Sequence, residues 1–131
     1  MSEAAQQEAV IAHLSATVDA RGIDELQRMA KLPVRYVEVW VMERPADEFR
    51  GGGVRSGGRM YRLLTRVVAE NYDDAQEYRR RVSEALEDQQ IPLSLGETTP
   101  VRRAVADDPI AVDDRWWSGV SEWTYATDQE D

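Results

Sequence analysis

The sequence has 131 residues, a net charge of -9, no cysteine and a single histidine, His13. Those counts exclude disulfides, thiol catalysis, cysteine-bound metals and any two-histidine mechanism. Leu, Ile, Val and Phe supply only 27 residues, near the lower edge for a globular chain, so four Trp and five Tyr must complete a thin core. One domain is expected over residues 1–131. No apolar run approaches a membrane span, and SEAAQQEA has none of the character of a signal peptide. The reading at this point is a soluble protein acting inside a cell, with no membrane partner.

In chain order, residues 3–19 read as an amphipathic helix through Val10, Ile11, Leu14 and Val18, with Ser2 as cap and Gly22 near its end. Residues 23–31 suggest one or two further helical turns, closed by Pro33. Residues 34–43, VRYVEVWVME, form the clearest strand. Val37, Val39 and Val41 share one face; Tyr36, Glu38, Trp40 and Met42 share the other. Both faces are largely apolar, so one should meet helices and the other a second subunit. Residues 44–58 hold five of the eight glycines and read as a flexible loop that orders on assembly. Residues 59–70 make a second strand, with Arg62 and Arg66 on one face, and the pair should form an antiparallel hairpin.

A helix follows over about 73–88, capped by Asn71 or Asp73, with Ala75, Tyr78, Val82, Ala85 and Leu86 as its apolar stripe. Arg79, Arg80 and Arg81 point in three directions. Residues 98–106 read as a short edge strand because of Pro100. DDPIAVDD reads as a loop, 115–126 as the last strand, and 127–131 as a frayed acidic tail. The order helix, hairpin, helix, hairpin implies an α+β domain. Its sheet would be four-stranded and mostly antiparallel, with two main helices packed on one face in α-β-β-α-β-β order.

Charge is segregated along the chain. Residues 1–49 carry 5 basic and 9 acidic groups, residues 50–81 carry 8 and 4, and residues 82–131 carry 3 and 12. An acidic whole opposes phosphate-driven nucleic-acid binding, while a basic middle suits self-association or an acidic protein partner. A solvated surface with chance clustering is the bland alternative.

No catalytic constellation stands out. GGGVRSGG shares only composition with a phosphate loop: it lacks the lysine and leads into a strand, where a P-loop leads into a helix. Asp107, Asp108, Asp113 and Asp114 lack calcium-loop spacing and read as a solvated loop. His13 reads as a surface or half-buried helix residue. Neither a metal, a cofactor nor an enzymatic activity is expected. Arg62 and Arg66, with Glu38 on the neighbouring strand, suit cross-strand ion pairs or pairs across a subunit boundary. Of Trp116 and Trp117, one should be core and the other exposed or covered by a partner.

Four stretches carry a resemblance: RYVEVWVMER, the loop RGGGVRSGGRM, YRLLTRVVAENYDDAQEYRRRVSEAL, and DDRWWSGVSEWTYA. Over about residues 34–126 the chain resembles the tail terminator proteins of long-tailed bacteriophages, especially those of actinobacterial hosts. Fifteen Arg against one Lys fit a GC-rich genome. The resemblance implies an α+β subunit in a hexameric ring, without enzymatic activity or cofactor. Such a ring caps the tail tube, ends its growth and offers a docking surface to the head-side connector. It implies a virion location at the head-proximal end of the tail, and host cytoplasm during assembly. DNA would pass through an acidic lumen without specific binding. The acidic C-terminal stretch and the RRR run depart from the family pattern.

On this reading Arg50 and Arg55 are assembly contacts in the loop. Glu38, Arg62 and Arg66 are inter-subunit or tube-facing charges, and Trp40 and Trp116 are interface aromatics. The alternatives are a head-tail connector or neck protein of the same machinery, or a small α+β ligand-binding or regulatory domain.

Overall fold

The computed structural model describes residues 3–44 and 59–127. Three helices are α1 (Glu3–Leu14), α2 (Ile23–Gln27) and α3 (Tyr72–Leu86). The strands are β1 (Ala20–Gly22), β2 (Arg35–Glu43), β3 (Arg59–Ala69), β4 (Pro92–Leu93), β5 (Gly96–Glu97), β6 (Arg102–Ala106), β7 (Ile110–Ala111) and β8 (Trp117–Thr127). The architecture is α+β, as the sequence implies. The sheet, however, is mixed and six-stranded, in the order β1-β2-β3-β8-β6, with β7 also on β8.

Four of its strands, β2, β3, β8 and β6, are the expected antiparallel set, and β6 lies at an edge. Two additions correct the four-stranded expectation. The three-residue β1 pairs parallel to β2, from Ala20↔Val37 to Gly22↔Val39. The two-residue β7 pairs with the start of β8, where a plain loop was expected. A separate hairpin, β4 and β5, forms within the expected loop after α3. Strands this short carry no readable alternation; β1 and β7 exist because a long neighbour offers free ladder groups, and β4 and β5 because the turn between them brings them together.

The alternation read from β2 sets the layers. Val37, Val39 and Val41 sit opposite Val67, Thr65 and Leu63 of β3, and Leu63 sits opposite Trp123 of β8. All are buried, in one core with Val10 and Leu14 of α1 and Tyr78, Val82 and Leu86 of α3. The two long helices therefore cover this one face of the sheet. Their buried positions are spaced three and four apart, the spacing of one helical stripe. In α3 the cap is Asn71, whose side chain accepts from the Asp74 N–H at 2.8 Å. The helix α1 stops at Leu14, short of the expected residue 19, yet Val18 still reaches the core from the turn beyond it.

Polar groups inside this core are paired. The Trp123 indole N–H donates to Thr65 Oγ1 at 3.1 Å, and the Tyr125 hydroxyl donates to Gln6 Oε1 at 2.9 Å. Burial pushes the Tyr125 hydroxyl far above its ordinary range, so it serves as a permanent donor. Phenylalanine at Tyr125 deprives the Gln6 carbonyl of this donor. Such a loss costs about 1–3 kcal/mol, and a urea midpoint lowered with unchanged slope is the expected reading.

Helix α1 also finishes the edge that β1 leaves short. Beyond Val39, the N–H of Val41 donates to Gln7 Oε1 at 3.1 Å, and the N–H of Glu43 donates to Glu3 Oε2 at 2.6 Å. Four helical residues rise about 6 Å and two strand residues about 6.8 Å. Side chains one helical turn apart thus match alternate ladder groups.

Near the other edge, the chain between β6 and β7 crosses close over β8. A Cβ at Gly119 would lie 3.2 Å from Pro109 backbone atoms, so only glycine fits that crossing without movement. The same crossing brings Asp108 to Arg79 of α3, 3.4 Å away. None of the three described helices is long and apolar enough to cross a membrane.

Candidate assembly interface

The opposite face of the sheet has no long helix over it. In register across β2, β3 and β8 stand Glu38↔Arg66↔Val120, Trp40↔Leu64↔Glu122 and Met42↔Arg62↔Thr124. The result is an apolar pair, Trp40 and Leu64, between two ion pairs. Arg66 meets Glu38 directly across the ladder at 2.9 Å, and Arg62 reaches diagonally to Glu122. Trp40 remains 48% exposed, Val105 of β6 48% and Val120 39%. A shallow depression of about 520 Å3 lies at the end of this face near the roots of residues 45–58, bordered by Met42, Arg62, Glu122 and Thr124.

An exposed Trp beside half-covered aliphatic side chains suits a protein contact better than catalysis. Tryptophan supplies large rigid area, and flanking charges fix register. The arginine heads are nearly half exposed, while Glu38 and Glu122 are about four-fifths covered. The carboxylates are therefore held in the sheet, and the guanidinium groups keep donors for a further partner. Among the described residues, no group of three or more His, Asp or Glu side chains is arranged to hold a metal.

The sequence-expected residues are thus partly gathered. Glu38, Trp40, Arg62 and Arg66 share one face, as the period of two required. Trp116 is half-buried inside the chain: its ring packs edge-on to Tyr36, centroids 6.5 Å apart. Leu26 and Met29, in and just after α2, join Tyr36, Val68 and Trp116 in a small second cluster, so α2 roofs one end of the otherwise open face. Trp117 packs edge-on to Tyr72 at 5.2 Å. Neither Trp is fully core or fully exposed, contrary to the either-or expectation; α2 and the start of α3 each cover one ring. Arg50 and Arg55 lie outside the described residues. Glu122 escaped the sequence reading, because nothing local reveals which β8 residue stands diagonal to Arg62.

The arginine run on α3 splits as expected. Arg80 pairs with Glu77 and Glu84 at 2.7 Å each. Arg81 bonds Glu77 and the Thr17 carbonyl, and Arg79 turns toward Asp108. Hydrogen bonds from Arg80 and Arg81 hold the Glu77 carboxyl below the usual glutamate range. With the folded value depressed, the stabilisation is full above the ordinary pKa and vanishes as pH falls through the folded one. Glu77→Gln is therefore expected to lower the urea midpoint at pH 7 and to match wild type near pH 2, measured at both pH values.

No protein-family model matches the sequence, and no curated protein matches it. Solved structures do match the fold. One is a chain of the virion of a native gene transfer agent particle. It superposes with a TM-score of 0.63 over 95% of this chain and 92% of that one, at 18% identity. A second solved chain gives a TM-score of 0.60 over 94% and 90%, at 12% identity. At these identities the likeness is one of fold, and it runs through nearly the whole of both chains.

Proposed function

We propose that this protein is a structural component of a phage-like virion, and within it the tail terminator. Copies form a ring, six by the family resemblance, that caps the tail tube, halts its growth and receives the head-side connector. The observation that carries this reading is the near end-to-end likeness of fold to a chain of a gene transfer agent virion particle. The open sheet face supports it, because an exposed Trp between cross-strand ion pairs is a surface built for a neighbour.

In this assembly Glu38, Trp40, Arg62 and Arg66 meet an adjacent copy or the tube protein. Trp116 stands at the rim of that contact, and Arg50 and Arg55 add contacts from the loop. A head-tail connector of the same particle draws on the same fold likeness and is the second reading. The two separate by partner: a terminator stops growth of the tail tube protein, and a connector does not.

The test mixes the purified chain with polymerising tail tube protein of the same particle and measures tube length by negative-stain imaging. Short, capped tubes with a ring of about 90 kDa at one end are the expected result. Unlimited growth with no bound ring rejects the terminator role.

Alanine at both Arg62 and Arg66 gives a finer check. Exposed ion pairs contribute about 0–1 kcal/mol each to a fold, so the double variant should melt close to wild type. Its capping of tubes should fall at least about tenfold, as expected where charged contacts to a partner are lost. Unchanged capping removes both arginines from the interface.

A further inference from the structure

On the helix-covered side, a cleft of about 320 Å3 opens between α3 and β6. Arg79, Arg80 and Ser83 line it from the helix, Arg103 from the edge strand, and Ser121 and Trp123 from β8. These arginines are unequally neutralised. Arg80 is held by two glutamates at 2.7 Å. Arg79 has only a 3.4 Å pair with Asp108, whose side chain is 77% exposed, and its buried Nε finds no acceptor among the described residues. Arg103 has only a 3.8 Å pair with Glu87, both partly exposed. Long, solvent-screened pairs contribute little, and a buried N–H without an acceptor is costly. Two guanidinium groups thus face one cleft with donors to spare.

We propose that this cleft binds carboxylates, and that its occupant is the acidic segment Asp128–Asp131 of a second copy of the chain. That segment carries Asp128, Glu130 and Asp131 within four residues, the charge complement of the cleft. In the acidic stretch 107–114 two carboxylates are already engaged: Asp113 Oδ1 accepts from the backbone N–H groups of Arg115 and Trp116, and Asp108 faces Arg79 in its own chain. The segment of the same chain is badly placed. Arg103 stands opposite Trp123, four residues and about 14 Å back from Thr127 along β8, and Ser121 about 20 Å back. Glu130 and Asp131 lie only three and four residues past Thr127, about 11 and 14 Å at full extension, and a turn back toward the cleft uses up part of that reach. A neighbour is not so limited. The contact is heterologous, one patch on a different patch, and this is the geometry that closes rings. The inference rests on the ring reading for its setting, but the cleft's chemistry is testable without a ring.

The experiment uses the full chain carrying Asp128→Asn, Glu130→Gln and Asp131→Asn, so that its own segment does not compete. A synthetic peptide of residues 124–131 is titrated in, and the side-chain N–H resonances of Arg79, Arg103 and Trp123 are followed by NMR. Saturable shifts at all three are expected, with affinity lowered at least about tenfold in Arg103→Gln, the scale of one charge-assisted bond pair. Arg103 is partly exposed and its removal leaves the core intact, so folding does not confuse the outcome. Absence of shifts, or equal affinity in Arg103→Gln, overturns the proposal. Equal shifts from inorganic phosphate at matched ionic strength also overturn it, by reducing the cleft to a general anion site. Peptide binding without any ring in the tube assay would leave the cleft assignment standing while the terminator reading fails.

Discussion

Aspartate in place of Trp40 is expected to abolish assembly while leaving the subunit folded. Trp40 is 48% exposed on the open face of the sheet, so about half of its ring is covered in the monomer. Losing that cover and a good strand former costs about 1–3 kcal/mol, which a domain with about 5–15 kcal/mol survives. At a contact, a central tryptophan commonly contributes more than 2 kcal/mol, a factor of roughly 30 in affinity. Aspartate adds a charge beside Glu38 and Glu122, whose arginines are then shared between more carboxylates. In the proposed terminator role, capping of tail tubes should therefore drop by at least two orders of magnitude, while the thermal midpoint falls by roughly 5–15 °C with unfolding still cooperative. Tube length distributions and a melting curve decide it. Full capping by this variant would show that Trp40 is not part of the contact. Loss of cooperative unfolding at 25 °C would instead place Trp40 in the fold.

Alanine at Trp123 should do the reverse. The ring is 1% exposed, belongs to the core that both long helices cover, and donates to Thr65. Its removal leaves a large cavity and a hydroxyl without its donor, and such truncations cost about 3–5 kcal/mol. A domain of this size has about 5–15 kcal/mol in total, and the thin aliphatic content of the sequence argues for the lower half. The variant is expected to lose a third or more of its stability, read as a lower urea midpoint. Phenylalanine at the same position keeps most of the volume and should recover more than half of the loss. An alanine variant as stable as wild type would contradict the packing described.

The parts of the fold that were legible are those with long periodic stretches. The alternation of β2 and β3 was enough to separate their two faces, whereas the pairing of Glu38 with Arg66 depended on a register that the long connection leaves open. Asn71 and the stripe through Tyr78, Val82 and Leu86 marked α3 in the same way. The missed pieces share a cause. Ala20–Gly22, Pro92–Leu93 and Ile110–Ala111 are too short to show a period, and only a neighbouring ladder makes them strands. The partial cover over Trp116 was hidden too, because α2, five residues of weak pattern, gives no sign in sequence of which face it will roof. The Arg79–Arg103 cleft was equally hidden: its walls are 24 positions apart in sequence, and only the packing of α3 on β8, beside β6, brings them together.

The cap that Glu3 and Gln7 place on β2 bears on how many copies can ever join by strand pairing. A sheet with two open borders can add subunits without limit, as fibrils do. Here one border ends in a three-residue strand and a pair of helix side chains that occupy the next ladder positions. Among the described residues β6, five residues long, is the longer of the two borders, and pairing through it alone joins two molecules. Faces and clefts, whose angles can close a circle, suit a larger closed assembly better than the endless addition that hydrogen-bonded borders permit.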